Sequence, residues 1–530
     1  MRRASGWGIV VLVLAPAMWA QGPEKLPPPS GKVAGDKLLQ DLWDAAYLDG
    51  HPTGFVRLKV EEVVRPDGQK VIRSTQEMNL SVRRGEDIAH VHAITGTDET
   101  ENGTVVGVFM RQMLGKNVAQ DLRGTVKGNQ LETKAVGQAA NFEKPIPWDS
   151  RVLSARGEQE LLRKRNPPPK PGDKFDYLTY NPLINRVVTV HVVVEGQEPV
   201  VINSAPKPER LSLLRVSMVP DNIENVPMPG QLVWYDGSLE IRKTLANMPG
   251  FGFLTTERST QQIARQQIQR DQLPDIMDRN SIKLSQRIAN AHGASTLDLR
   301  VRLKDAEPGK TFAQDRRQSV TNVKDDTFEL HITAIREPAA KMPADAKTPG
   351  PEHLSSNFFI TSGDSLVQQH ARAAVGAETD PWKKARMVER WVHHNMKVQN
   401  FTEAMAPAYE VARTLTGDCT EYSMLAAAMC RAAGVPSRTA IGLIYVDPPR
   451  PRPAFFGFHM WTEVWINGDW IAIDATLGQG GIGPAHLKIA DQSWHETTSM
   501  TPLLPLLRVI MAQPAIEVMG PARRPAASPR

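Results

Sequence analysis

Only two thiols occur in the 530 residues, Cys419 and Cys430. Cys419 stands in TLTGDCTEYSMLAAAMCRAAG, where Gly417 allows a sharp turn and the cysteine then opens a helix whose core face includes Tyr422, Leu425 and Met429. A helix N-terminus carries partial positive charge and unpaired N–H groups. Both stabilise a thiolate, so the pattern predicts a lowered thiol pKa and an activated nucleophile. The same N–H groups could receive a developing oxyanion. Cys430 lies eleven positions further along the same helix. At about 1.5 Å per residue that is roughly 16 Å, beyond the ~7 Å a disulfide spans. Cys430 therefore reads as a small buried hydrophobe.

Downstream, HMWTEVWI and WIAIDAT read as two strands joined by Asn467-Gly468-Asp469, a strong hairpin signal. A two-residue loop pairs odd positions of the first strand with even positions of the second. His459 and Asp474 then share one face as cross-strand or diagonal neighbours, while Met460, Val464, Ile466, Ile471 and Ile473 form the opposite, buried face. A thiol, an imidazole and a carboxylate in that order suit nucleophilic acyl transfer. The imidazole takes the thiol proton and returns it to a leaving amine, and the carboxylate fixes the imidazole's tautomer. Glu463 falls on the same face by parity, and Trp461, Trp465 and Trp470 read as core or cleft wall.

The runs GDCTEY, CRAAGVPSR, HMWTEVW and WIAIDAT resemble the core of the transglutaminase-like superfamily over about residues 353–480, roughly a quarter of the chain. The resemblance implies a papain-like α/β core in which Cys419 is the nucleophile, His459 the general base and acid, and Asp474 its orienter. It further implies attack on a protein or peptide carboxamide, a thioester intermediate, and hydrolysis favoured over cross-linking. A second oxyanion donor is not identifiable; Asn395 and Asn400 are the candidates upstream of the helix.

These residues need a frame. The pattern predicts an α+β multidomain chain: a mainly antiparallel β domain over 37–245, a helical connector over 246–290 with a Gln-rich helix at 256–271, and a second β region over 291–340. GFVRLKVEEVV and RVVTVHVVVEG supply strand-like alternation, and Leu297, Leu299, Val301 and Leu303 repeat it. A Pro/Ala linker at 341–352 is the clearest boundary, followed by the catalytic domain over 353–495 and a tail over 496–530, partly disordered. In DPWKKARMVERWVHHNMK, Asp380 caps a helix that starts with Pro381. Its adjacent His393 and His394 point about 100° apart and do not suggest a shared ion.

Arg2 and Arg3 followed by an apolar run over 6–20 read as an export signal, with 21–36 a flexible lead. An apolar run of about fifteen residues is short of the roughly twenty a span needs, so a periplasmic or secreted protein without an integral span is expected after cleavage, an uncleaved anchor being the alternative. A formal charge of +5 with no basic stripe among aromatics argues against nucleic acid. No calcium-loop spacing or cofactor motif stands out, so neither metal nor cofactor is expected. Oligomeric state leaves no mark in the sequence. The competing function is a catalytically idle binding or scaffold module. A thiol-redox role has no C-x-x-C to support it.

Overall fold

A computed structural model describes residues 37–65, 67–84, 87–114, 117–135, 144–276, 281–304, 307–342, 346–398, 405–495, 499 and 501–520. The expected export signal and lead, and the last ten residues of the tail, lie outside these. The molecule is α+β and strand-rich, in two compact units. One runs to Arg279 with Ser499–Thr501, and the other comprises Asn280–Thr498 with Pro502–Arg530.

The first unit is built on one 15-stranded sheet. Lys37–Leu48 sits mid-sheet, paired on one side with His51–Val64 and on the other with Gly252–Ser259. The two sheet edges are Ile146–Pro147 and Val152–Leu153, only four residues apart in the chain. A sheet whose opposite edges are so tethered has to curl round on itself. The curl brings Val105, Val108 and Leu131 of one half against Val152, Leu178 and Val187 of the other. Strand Arg186–Ile202 shows the patterning behind it: Val188, Val190, Val192 and Val194 are buried inside, and His191 is exposed outside. Ion pairs such as Arg57–Asp41, at 2.7 Å, tie neighbouring strands at the surface.

The expected helix at 256–271 is not formed. Strand Gly252–Ser259 takes its start because Thr256 and Leu254 complete the sheet beside the first strand, leaving one helical turn at Gln261–Ala264. The two units divide at Arg279/Asn280. The reason is pairing. Ser281–Lys283 joins the strand Phe455–Ile466, and the second β region belongs to the same unit. The tail also differs from expectation: it supplies a helix, Leu504–Ala512, and a strand, Ala515–Val518, that pairs with Thr296–Arg302.

The second unit packs the helices Ser365–Val375, Pro381–Asn395 and Ala408–Thr414 around a central helix, Cys419–Ala432. Residues 421–431 of that helix are all buried. It lies on a sheet ordered Ser281–Lys283, Phe455–Ile466, Ser437–Val446, His486–Gln492, with Asp469–Ile473 beside Phe455–Ile466. Val435-Pro436 ends the helix and turns the chain into Ser437–Val446.

Candidate active site

Each site residue is placed by local chemistry. Asp418 is the N-cap of the central helix, its Oδ1 accepting from the Thr420 N–H at 3.0 Å, while Glu421 Oε2 accepts from the Asp418 N–H at 3.0 Å. This capping box fixes Cys419 at the first helical position. Gly417 is required just upstream: its φ is +148°, and a Cβ there would lie 2.4 Å from the Glu421 Cβ. The box needs that space because Glu421 is itself buried, its other oxygen accepting from the Ala406 N–H at 3.1 Å.

The hairpin turns at Asn467 and Gly468, with φ of 49° and 89°, the left-handed pair that a two-residue loop between twisted strands demands. Ile466 pairs with Asp469 and Thr462 with Ile473, which sets odd against even positions. Met460, Val464, Ile466, Ile471 and Ile473 are buried. His459 Nε2 lies 2.8 Å from Asp474 Oδ2, which leaves Nδ1 for the thiol. The Cys419 thiol lies near His459 and the backbone N–H of Met460, and both favour its thiolate.

The electrostatics of the three groups are linked. Burial opposes charge on His459, but the Asp474 carboxylate and the Cys419 contact outweigh it and raise the imidazole, which favours its holding a proton taken from Cys419. Burial likewise opposes charge on Asp474, yet His459 and a second histidine hold it well below the usual carboxylate range. Two backbone N–H groups, of Thr476 at 2.9 Å and Leu477 at 3.4 Å, support its Oδ1. For Cys419 the net direction differs from the expected lowering. Burial and then the Asp418 charge push the thiol up, and His459 and the Met460 N–H only partly offset them. The helix terminus is too crowded by protein to act alone, so the thiol depends on His459 as proton acceptor. Cys430, fully buried, is pushed up to about 12 by burial and Glu389.

The second histidine is His486, which no sequence motif singles out. It comes from the strand His486–Gln492, two strands from His459, and its Nε2 lies 3.0 Å from Asp474 Oδ2. Burial pushes it down to about 4, so it is neutral at ordinary pH and donates its proton to Asp474. His459, Asp474 and His486 thus gather nitrogen and oxygen atoms within 4.8 Å, a set also compatible with a metal ion. Both Nε2 atoms are already engaged by Oδ2, which accounts for the cluster by hydrogen bonds alone.

Other singled-out residues fall elsewhere. Glu463 is engaged in a buried ion cluster with Arg438 at 2.7 Å and Lys488 at 2.9 Å. Trp461 is buried and stacks beside His459 at 6.3 Å between ring centroids. Trp465 and Trp470 pack edge to face at 5.5 Å. His393 and His394 turn to separate carbonyls, of Ala475 and Arg390. The Asn395 amide bonds back to the Trp391 carbonyl at 2.8 Å, so it is spent within its own helix. Asn400 lies outside the described residues.

Residues 368–475 match the model of the transglutaminase-like superfamily. An uncharacterized protein from Haemophilus influenzae is 31% identical over 97 residues, covering 17% of this chain and 26% of that relative. The match thus spans about a quarter of that relative's length. Among solved structures, a protein from Cytophaga hutchinsonii provisionally described as a cysteine protease is 17% identical, covering 42% of this chain and 86% of its own at a TM-score of 0.28. A β-barrel-like protein from Brucella abortus is 13% identical, covering 42% and 95% at 0.32. Residues 368–475, which carry the Cys419, His459 and Asp474 positions, form a transglutaminase-like domain.

Proposed function

We propose that the protein is an exported cysteine enzyme that acts on amide bonds of proteins or peptides through Cys419, His459 and Asp474. The observation that carries the reading is the Asp474 carboxylate oxygen 2.8 Å from His459 Nε2, with the Cys419 thiol beside the same imidazole. His459 accepts the Cys419 proton as the sulfur attacks the amide carbon. Asp474 stabilises the imidazolium so formed, which then protonates the departing amine and leaves a thioester. The backbone N–H of Cys419, at the first helical position, is the oxyanion donor we assign. Water resolves the thioester, returning a proton through His459; hydrolysis is favoured over transfer to an amine by the resemblance to exported bacterial members.

The N-terminal apolar run supports export, and among the described residues no helix is long and apolar enough to cross a membrane. Neither a metal nor a cofactor takes part in the proposed steps. The test is turnover of quenched fluorescent peptide libraries, with and without an added primary amine, by wild type and Cys419→Ala. Cleavage by wild type alone is the expected result. Amine incorporation without cleavage would replace hydrolysis by cross-linking, and equal inactivity of both proteins on all peptides would favour the idle module.

A further inference from the structure

The curled sheet of the first unit encloses two adjoining hollows of about 90 and 100 Å³, each open in part to solvent. They share Gln76, Thr95 and Glu158. Their walls are mostly apolar, with Phe109 and Val190 in one and Met78, Met218 and Leu254 in the other. Small-molecule sites combine such apolar walls with a few convergent polar groups.

The polar groups here are few and incompletely used. Glu158 enters the hollow from the short helix Ala155–Glu160 and accepts one hydrogen bond, from the Thr179 hydroxyl. The Tyr235 hydroxyl on the facing wall is fully buried and without a hydrogen-bond partner, as is the Gln159 side-chain oxygen. A buried polar group without a partner is uncommon and destabilising in a native fold. The lining contains two carboxylates, Glu158 and Asp44, and no lysine, arginine or histidine. Asp44 is neutralised by Arg258 at 2.6 Å, which leaves Glu158 without a counter-charge.

We propose that this interior binds an amphiphile with an aliphatic chain and a cationic amine head, the chain lying on the apolar walls, Glu158 supplying the counter-charge and the Tyr235 hydroxyl a second contact to the head. An anionic head such as a fatty acid's is repelled once Glu158 is ionised. The site is independent of the thiol chemistry. Burial lifts the Glu158 carboxyl to about 7 in the empty site. The other titratable groups on these walls are Asp44, held by Arg258, the Tyr180 phenol, which donates to Asn185 Oδ1 at 2.8 Å, and the Tyr177 and Tyr235 phenols, which burial keeps neutral. Amine binding therefore strengthens as pH rises through about 7 and the carboxylate forms.

The test is calorimetric titration of the full mature protein with decylamine, decanol and decanoate, one pH unit either side of about 7. Decylamine should bind more tightly than decanol, decanoate should not bind at the higher pH, and the amine preference should grow at that pH. Glu158→Gln should weaken decylamine at least about tenfold and leave decanol within about threefold, and Cys419→Ala should bind like wild type. Absence of decylamine binding, equal affinity for decanol or decanoate, or unchanged decylamine affinity in a folded Glu158→Gln protein overturns the proposal. If that variant fails to fold by circular dichroism, the comparison of head groups on the unaltered protein decides.

Discussion

Asp474 and Glu158 are both enclosed by protein, yet they titrate in opposite directions. Asp474 is held well below the carboxylate range, whereas Glu158 is lifted to about 7. Burial pushes both up; what differs is the number of donors aimed at each. Two imidazoles and two backbone N–H groups meet Asp474, and one threonine hydroxyl meets Glu158. Burial sets a common penalty, and the partners decide whether a carboxylate is a fixed charge or a vacancy for one. The second unit has built its partners into the chain. The first leaves a place for a partner that comes from outside.

That contrast can be broken first at Asp474. Asp474→Asn keeps the shape but removes the charge that supports the His459 imidazolium, so kcat should fall by about 10³-fold or more with KM little changed. Steady-state kinetics on the peptide found by screening would show it, and a loss below about tenfold would remove Asp474 from the proposed triad.

At Glu158 the sign is reversed. Its folded pKa of about 7 exceeds the ordinary carboxyl value of 4.5, so the native state holds the extra proton between them and stability falls as pH rises from 4.5 to about 7. Glu158→Gln removes that loss and should stabilise the first unit above pH 7 by about 3 kcal/mol. Chemical denaturation on either side of that pH should find the wild type and variant converging in acid; a variant less stable at both would contradict it.

Gly417→Ala sharpens the comparison from the side of the nucleophile. The added methyl meets Glu421 and must adopt a positive φ, so the variant should lose about 1–3 kcal/mol and some activity with it. Thermal melting checks this, and an unchanged melt would show that the turn relaxes freely. The smallest effect is expected at His486→Gln, which loses the imidazole's Nε2 donor to Asp474 and should lower kcat by about tenfold or less. A shift in the pH profile of kcat/KM should accompany it, because Asp474 then supports the imidazolium alone; a melt shifted without a changed profile would reduce His486 to a packing role.

The site was more legible than the frame. Asn467-Gly468 forces a two-residue loop, and with it the parity that puts His459 and Asp474 on one face. Gly417 and Asp418 announce the helix start in the same local way. Features that rest on distant pairing left no such mark. The joining of Lys37–Leu48 to Gly252–Ser259 spans more than 200 residues, and a threonine-rich, polar strand there reads equally well as helix. Ala515–Val518 is short enough to pass as tail until Thr296–Arg302 pairs with it. His486 belongs to the same class, since only the register of Ser437–Val446 with its two neighbours brings it to Asp474. The thiol pKa was misjudged because a helix terminus is visible in sequence and the protein crowding it is not.

The central claim, that Cys419 gives its proton to His459, is tested most directly by alkylation with iodoacetamide across pH, read by peptide mass. Wild type, His459→Ala and Cys430→Ala should be compared under native conditions. The account predicts labelling at Cys419 alone, since Cys430 is buried, unchanged by Cys430→Ala and slowed at least about tenfold near neutrality by His459→Ala. Labelling of Cys419 at the same rate and with the same pH dependence in His459→Ala would contradict it, and would return the domain to the idle-module reading.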